Sequence, residues 1–316
     1  MTEIKHRTIK TNGINMHIAE AGEGPLVLML HGFPELWYSY RHQLPALAGA
    51  GYHAVAPDIR GYGQSDAPPN VEDYGMKDHL ADALGILDAL GAETAVVVGH
   101  DWGAPMAWNS AVLHPDRYRA VVGLSVPFLT RSSGPPTDIF KAVFKDNFFY
   151  MLYFQEPGVA EKELESDART TLRTFLCAAS GDAVPAGFLG KKKGDLFLTG
   201  MDNPEKLPGW LSEADVDVFA NEFRRTGFRG GLNRYRNMDR DWHDLPQLAD
   251  AKIAQPALFI GGSKDGVLAF TSMDAMKANC SDLRDLVMIE GAGHWTQQER
   301  PKEVNEALIK FLKSLG

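Results

Sequence analysis

The chain of 316 residues is 44% hydrophobic and 23% charged, with 31 glycines, 18 prolines and 2 cysteines. This composition excludes a disordered, collagenous or disulfide-stapled protein, and the length is sufficient for one large domain or for a domain with an insertion. The net charge of -9 repels phosphate backbones and acidic lipid surfaces, so we expect neither nucleic acid nor a membrane as a partner.

The sequence offers no segment that would anchor the chain in a membrane or export it. Its longest apolar run, Leu26 to Leu30, is much shorter than the about 20 residues of a membrane-spanning helix. The polar start from Met1 to Arg7 lacks the apolar centre of a signal peptide, and a cytoplasmic location is therefore expected. The spacing of Cys177 and Cys280 matches no metal or redox motif, and we expect neither a metal nor a cofactor.

Short strands alternate with helical periods along most of the chain. The residues around Asn12-Gly13 alternate between apolar and polar, which predicts a tight antiparallel hairpin at the sheet edge. The later strands are continuously apolar, and this is typical of a mostly parallel sheet that is covered by helices on both faces. These predicted strands are Leu26 to Leu30, His53 to Ala56, Ala95 to Val98, Val121 to Val126, Ala257 to Ile260 and Leu286 to Ile289.

The alternation stops at Pro127 and resumes at Pro256. The residues between them are rich in aromatic and charged side chains and contain no recognisable βαβ unit. We interpret this stretch as an inserted helical lid. The prediction divides the chain into an α/β core of residues 1–129 and 246–316 and a helical cap of residues 130–245.

Within the predicted cap, three stretches have a helical period. They are Ile139 to Tyr153, Arg169 to Cys177 and Ala214 to Arg225. The basic triplet Lys191 to Lys193 is typical of an exposed, solvated loop.

A strand, a sharp turn and a helix of small residues meet at Gly99-His100-Asp101-Trp102-Gly103. Glycines at both ends allow tight packing, and the layout is typical of the nucleophile turn of α/β-hydrolases. The central residue here is aspartate rather than serine. A carboxylate can attack an sp3 carbon and become an ester, so epoxides and alkyl halides are the expected electrophiles. The alternative is that Asp101 only caps the following helix.

Hydrolysis of such an ester requires a base, a group that orients the base, and N–H donors for the oxyanion. His294 follows the last predicted strand and Asp265 follows the strand before it, in the chain order nucleophile, acid, histidine. Each residue alone is also consistent with a structural role in a turn. The loop after the first parallel strand places Phe33 where its backbone N–H, together with that of Trp102, would form the oxyanion hole.

Six motifs extend this pattern over nearly the whole chain, and they resemble those of the soluble epoxide hydrolases in the α/β-hydrolase superfamily. The resemblance implies a cofactor-free, two-step conversion of an epoxide and a catalytic water to a vicinal diol. A haloalkane dehalogenase with the same nucleophile and a catalytically silent receptor of this fold are the alternatives. The motifs are HGFPELWYSYR (31–41), DIRGYGQSDAP (58–68), GHDWGA (99–104), YFQEPGVAE (153–161), FRGGLNRYRN (228–237) and GAGHWTQQERP (291–301).

In the family that the chain resembles, two lid tyrosines hold the epoxide oxygen. By position they are Tyr150 and Tyr235, with Tyr153 as the alternative to the first. When an epoxide opens, its oxygen becomes an alkoxide, and a phenol with a reference pKa of about 10 can protonate it. A dehalogenase usually has a side-chain donor after the His-Gly pair. Phe33 has none, which favours the epoxide reading.

The expected substrate contacts are mostly aromatic, which favours an apolar or aryl epoxide. The expected partners are this small molecule and water, and both a monomer and a homodimer stay open. The candidate substrate-binding residues are Phe33, Trp102, Tyr150, Phe154, Tyr235 and Trp295.

Overall fold

The computed structural model describes residues 2–183 and 191–316, and eight strands of these ranges form one sheet. The strands are β1 (Lys5–Thr11), β2 (Ile14–Ala21), β3 (Leu26–Leu30), β4 (His53–Pro57), β5 (Ala95–His100), β6 (Tyr118–Leu124), β7 (Ile253–Gly262) and β8 (Cys280–Ile289). Their order is β1-β2-β4-β3-β5-β6-β7-β8. The predicted strands and hairpin are confirmed.

The sheet is antiparallel at one edge and parallel elsewhere. Strand β2 pairs antiparallel with both β1 and β4, whereas the other neighbouring strands pair in parallel. Asn12 and Gly13 turn the first hairpin with φ values of 42° and 79°. These left-handed conformations are what a two-residue hairpin loop requires, and glycine and asparagine tolerate them best.

Helices cover both faces of the sheet, as predicted. Alternate residues of β3 enter different cores, with Leu28 on the face packed by α2 and α3 and Val27 on the face packed by α1 and α13. This continuous burial explains why the parallel strands are apolar throughout. The helices of this layer are α1 (Gln43–Gly49), α2 (Met76–Ala89), α3 (Gly103–Leu113), α11 (Met273–Asn279), α12 (Thr296–Glu299) and α13 (Pro301–Lys313).

Helical segments fill the connection between β6 and β7. They are α4 (Pro136–Val143), α5 (Tyr150–Tyr153), α6 (Val159–Leu164), α7 (Ala168–Ala178), α8 (Glu213–Thr226), α9 (Arg229–Arg236) and α10 (Met238–Asp244). The stretch predicted as helical from Ile139 to Tyr153 contains two helices, α4 and α5, which are separated by residues 144–149. The intervening aromatic residues leave the helix to pack on one another, with the rings of Phe144 and Phe149 stacked at 4.1 Å.

The basic triplet is exposed only in part. Lys192 and Lys193 are exposed, as predicted, but Lys191 is buried. Its ammonium group donates to the carbonyl of Phe197 and lies 5.3 Å from the ring centroid of Phe148. Burial lowers the pKa of Lys191 to about 8. A long aliphatic stem allows lysine to cross an apolar layer in this way.

In the ranges 2–183 and 191–316, the helices are too short or too polar to cross a lipid bilayer. The longest of them have 14 residues, and each of these carries charged side chains.

Two glycines at helix ends provide a test of the packing around α3. A Cβ added at Gly103 would lie 1.9 Å from the carbonyl oxygen of Leu30, whereas at Gly49 it would meet no atom of the described residues within 4 Å. We expect Gly103→Ala to lower the free energy of unfolding by about 1–3 kcal/mol. Gly49→Ala should leave it unchanged or raise it by up to about 1 kcal/mol.

Urea denaturation of the two variants measures this difference. Equal stabilities would contradict the close approach of α3 to β3.

Candidate active site

The sharp turn after β5 sets Asp101 apart from the sheet. Its backbone is left-handed, with a φ of 49°, and α3 begins two residues later. The turn is possible because Gly99 has no side chain. A Cβ at this position would lie 1.9 Å from the carbonyl oxygen of Gly103. Among the described residues no side chain caps α3, so the alternative role of Asp101 as its cap is wrong.

The two carboxylate oxygens of Asp101 have different neighbours. Oδ1 accepts a 2.7 Å hydrogen bond from the backbone N–H of Phe33, and Oδ2 lies 3.4 Å from Nε2 of His294. A Cβ added at Gly32 would lie 2.2 Å from Oδ1 and 2.6 Å from the backbone nitrogen of Trp102. Because Gly32 has no side chain, the Asp101 carboxylate and the backbone nitrogen of Trp102 can both lie close to this loop.

His294 and Asp265 form a buried pair. Nδ1 of His294 lies 3.0 Å from Oδ2 and 3.2 Å from Oδ1 of Asp265, which also accepts from the backbone N–H of Val267 at 2.9 Å. Burial disfavours a charged imidazole, but the carboxylates of Asp265 and Asp101 outweigh it and hold the pKa of His294 well above its ordinary value. Burial likewise opposes ionisation of Asp265, yet His294 keeps the pKa of that carboxyl below its usual range.

A carboxylate that the sequence analysis missed fixes the loop of the histidine. Glu299, which is 5% exposed, accepts hydrogen bonds from the backbone N–H groups of Gly293 at 2.9 Å and Trp295 at 3.0 Å. It also accepts from Gly181 at 2.9 Å, so it joins the loop to the end of α7. Burial raises the pKa of Glu299 despite these donors. Glu299 lies in the GAGHWTQQERP motif, and its place in that motif was the sequence signal that could have identified it.

A second buried pair, Glu35 and His100, was also missed. Nδ1 of His100 lies 2.6 Å from Oε2 of Glu35, and Nε2 lies 2.7 Å from the backbone oxygen of His294. Burial opposes ionisation of Glu35, but His100 outweighs it and lowers the pKa of Glu35 to about 2. The sequence did carry a signal for this pair, because His100 is a polar residue at the end of an otherwise apolar strand.

The structure brings two of the three candidate lid tyrosines together. The rings of Tyr150 and Tyr235 are 6.0 Å apart. Burial raises the pKa of both phenols, and the charge of Asp101 raises it further. Tyr153 instead donates a 2.7 Å hydrogen bond to Glu163, within the helical segments. Its phenol is therefore engaged elsewhere.

Aromatic rings surround Tyr235. Its ring centroid lies 5.5 Å from that of Phe33, 5.1 Å from Trp102 and 5.0 Å from Phe154. Trp295 is placed differently. It packs against His294 at 4.9 Å, and its indole N–H donates to the carbonyl of Leu176 at 2.8 Å.

The groups at this site determine which chemistry it can perform. Within residues 2–183 and 191–316, no group of three or more His, Cys, Asp or Glu side chains is arranged to hold a metal ion. The site combines a carboxylate, an imidazole–carboxylate pair, backbone N–H donors and two phenols. Such a set can attack carbon, activate water and protonate an oxygen.

Comparison with known proteins gives relatives of nearly the same length. Residues 25–301 match the family described as the alpha/beta hydrolase fold. Epoxide hydrolase A of Mycobacterium tuberculosis is 49% identical over 313 residues, which cover 98% of this chain and 97% of that protein. Epoxide hydrolase 2 of Siraitia grosvenorii is 44% identical over 321 residues and covers 99% of each protein.

Solved structures give the same result. The crystal structure of epoxide hydrolase A from Mycobacterium thermoresistibile matches with a TM-score of 0.95 and 49% identity, over 98% of both chains. An epoxide hydrolase from an endophytic Streptomyces matches with a TM-score of 0.95 and 48% identity, over 99% of this chain and 96% of that one. The likeness therefore extends over the inserted helices as well as the sheet.

The charge of Asp101 raises the pKa of His294, and this effect can be measured. Both carboxylates beside the imidazole favour its charged form, so removing either one should lower the pKa of His294. We expect the His294 titration, followed by NMR and assigned by its loss in His294→Gln, to move to lower pH in Asp101→Ala and in Asp265→Asn.

The matched control is Asp285→Asn, whose carboxylate pairs with Lys310 at the surface. It should leave the titration unchanged. An unaltered midpoint in both site variants would contradict the electrostatic coupling.

Proposed function

Because the chain belongs to the epoxide hydrolase family of the α/β-hydrolase fold, we propose that it converts an epoxide and water to a vicinal diol through an ester on Asp101. The observation that carries the proposal is the position of this carboxylate. One oxygen is held by a backbone N–H, and the other lies 3.4 Å from His294. The buried phenols of Tyr150 and Tyr235 provide the acids that epoxide opening requires.

In the first step, Oδ2 of Asp101 attacks an epoxide carbon and the carbon–oxygen bond of the ring breaks. Oδ1 keeps its bond from Phe33 and becomes the carbonyl oxygen of the ester. Tyr150 and Tyr235 donate hydrogen bonds to the epoxide oxygen, and one of them protonates the alkoxide as it forms. A neutral phenol suits this task because burial keeps the proton on the oxygen until a stronger base appears.

In the second step, a water molecule attacks the carbonyl carbon of the ester. Nε2 of His294 accepts a proton from this water, while Asp265 holds Nδ1 and stabilises the imidazolium. The negative charge forms on Oδ1, where the backbone N–H groups of Phe33 and Trp102 bind it. Collapse of the intermediate breaks the carbon–oxygen bond of the ester, and the departing oxygen takes up the second proton of the water. The diol is then released, and the oxygen of the water stays in the Asp101 carboxylate.

Ester formation itself changes the basicity of His294. In the resting protein the carboxylates of Asp265 and Asp101 both favour the imidazolium. The ester is neutral, so the contribution of Asp101 disappears and the pKa of His294 falls. The imidazolium can then give its proton back to the phenolate left by the first step, and the neutral imidazole acts as the base in the second.

The substrate class follows from the aromatic rings around the nucleophile. Phe33, Trp102 and Phe154 surround Tyr235, which favours an apolar or aryl epoxide. A haloalkane is the second candidate, since the same carboxylate can displace a halide. The two phenols favour the epoxide, because a departing halide needs only weak N–H donors whereas an alkoxide needs a proton.

The same proposal includes the organisation of the chain. Residues 1–129 and 246–316 form the core that carries nucleophile, acid and base, and residues 130–245 form a cap that carries both phenols. A cytoplasmic location and a monomeric or homodimeric state are also part of it. The division into core and cap is supported by the position of α4–α10, which all lie between β6 and β7 in the chain.

The ester can be trapped and its origin traced. His294→Gln should stall the reaction after the first step, because no base activates the water. Intact-mass measurement after addition of styrene oxide should show an increase equal to the mass of the epoxide, on the peptide that contains Asp101. In single turnovers of the unaltered protein in 18O-labelled water, the label should enter the Asp101 carboxylate.

Asp101→Ala is the control, and it should give neither adduct nor diol. A parallel assay with a haloalkane distinguishes the second candidate by halide release. Diol formation by Asp101→Ala would end the assignment of the nucleophile, and silence towards both substrates would favour a receptor.

The phenols can be separated by single substitutions. Tyr150→Phe and Tyr235→Phe should each slow ring opening by about 100-fold, the effect expected when a positioned acid is lost. Tyr153→Phe is the matched control from the same helix, since its phenol binds Glu163. Its rate of adduct formation should stay near that of the unaltered protein. A slow Tyr153→Phe with a normal Tyr150→Phe would transfer the role to Tyr153.

A further inference from the structure

Arg234 is a buried charge next to Tyr235 that the proposed reaction does not yet use. It is 2% exposed and lies near the end of α9. Its Nη1 donates to the backbone oxygen of Tyr74 at 2.7 Å, and its Nη2 contacts the carboxylate of Asp241. Within the described residues its Nε has no acceptor. A guanidinium that is buried with one donor unsatisfied is costly, and its retention calls for a reason.

The ring of Trp102 contacts both this charge and the ring of Tyr235. The guanidinium carbon of Arg234 lies 4.7 Å from the centroid of the Trp102 indole. The indole meets the ring of Tyr235 edge to face, with centroids 5.1 Å apart and an interplanar angle of 84°. A cation over an aromatic face is attracted to it and withdraws electron density from it. The indole edge is thereby made more positive.

The indole also acts on the phenol directly. Burial is the main cause of the raised pKa of Tyr235, followed by the charge of Asp101, whereas a hydrogen bond with Trp102 acts in the opposite direction. Since an indole N–H is only a donor, this interaction favours the oxygen of Tyr235 when it carries negative charge. That charge appears when the phenol gives its proton to the alkoxide.

The same arginine ties α9 to the core. Tyr74 immediately precedes the residues that start α2, and Asp241 accepts a 2.7 Å hydrogen bond from the backbone N–H of Met76, the first residue of that helix. Arg234 therefore has a fixed position relative to the core, and the Trp102 indole is held between it and Tyr235.

We propose that Arg234 is a positioning residue for ring opening: it fixes the Trp102 indole against Tyr235 and favours the phenol's negative charge as the epoxide oxygen is protonated. The inference rests on the proposed function. Its effect is confined to the first step, because the ester is hydrolysed with proton transfer to His294 and with charge on backbone donors. The backbone of Trp102 is held by the turn into α3, whereas the guanidinium of Arg234 lies over its indole ring.

Three variants test this role. Arg234→Met removes the charge and keeps an apolar side chain over the indole, and Arg234→Lys keeps the charge. Arg236→Met is the matched control, because Arg236 is also buried on α9 and pairs with Glu161 at 2.8 Å, but it is not stacked on Trp102. If Arg234→Met alone does not fold, its combination with Asp241→Asn leaves no unpaired charge and replaces it.

Single turnovers with excess protein and styrene oxide, quenched in acid and followed by intact mass, separate the rise of the ester from its decay. Arg234→Met should slow the rise about tenfold, which is less than the loss of a general acid costs, and should leave the decay unchanged. Arg234→Lys should recover most of the rate. Arg236→Met should lower the melting temperature without changing the ratio of the two rates.

A series of aryl glycidyl ethers provides a readout that a purely structural role would not change. The Arg234→Met variant should stabilise the negative charge of the reacting oxygens less well. Its rate of ring opening should therefore depend more steeply on the acidity of the alcohol that is formed. Rates equal to those of the unaltered protein, or an Arg236→Met variant that slows ring opening equally, would overturn the role of Arg234. Absence of adduct and diol from the unaltered protein would instead overturn the proposed function.

Discussion

The site depends on the left-handed backbone of Asp101. For a residue other than glycine this conformation costs about 1–2 kcal/mol. The cost is tolerated because β5 is buried on both sides and because Gly99 and Gly103 let the strand and α3 approach closely. The consequence is that the carboxylate leaves the plane of the sheet and meets the N–H of Phe33 and the imidazole of His294. A relaxed backbone would return it towards the helix.

Two buried carboxylates near this turn, Glu35 and Glu299, help to fix the backbone around His294. Glu35 and His100 reach the carbonyl of His294 from inside the core, while Glu299 binds the N–H groups on either side of it. Charges that are paired and hydrogen-bonded in this way hold the imidazole loop from two directions. In the proposed reaction, His294 can therefore gain and lose a proton without leaving its position, because its neighbours, rather than its own charge, determine where it lies.

The sheet and the turn were predictable because their causes are local. Continuous apolar runs identify buried parallel strands, and glycines beside a reactive residue indicate a close approach of backbones. The interruption between α4 and α5 was not predictable, because it accompanies the stacking of Phe144 on Phe149, and this contact leaves no mark in the apolar spacing of the stretch. The burial of Lys191 depends on Phe148, and the environment of Arg234 on Trp102 and Tyr74, all distant in sequence. Long-range partners of charged residues leave no periodic signal.

The division of the reacting groups between two parts of the chain has a physical reason. A carboxylate that must attack and a phenol that must donate a proton cannot lie in contact, or the phenol would bond to the carboxylate instead of the substrate. Asp101 lies on the turn after β5, whereas Tyr150 and Tyr235 lie on helices inserted after β6, and in the proposed reaction the epoxide binds between these two parts. Precise placement of those helices then becomes part of the chemistry. Ties such as Arg234 to Tyr74 and Glu299 to Gly181 connect the inserted helices to the core at the points where the reaction needs them fixed.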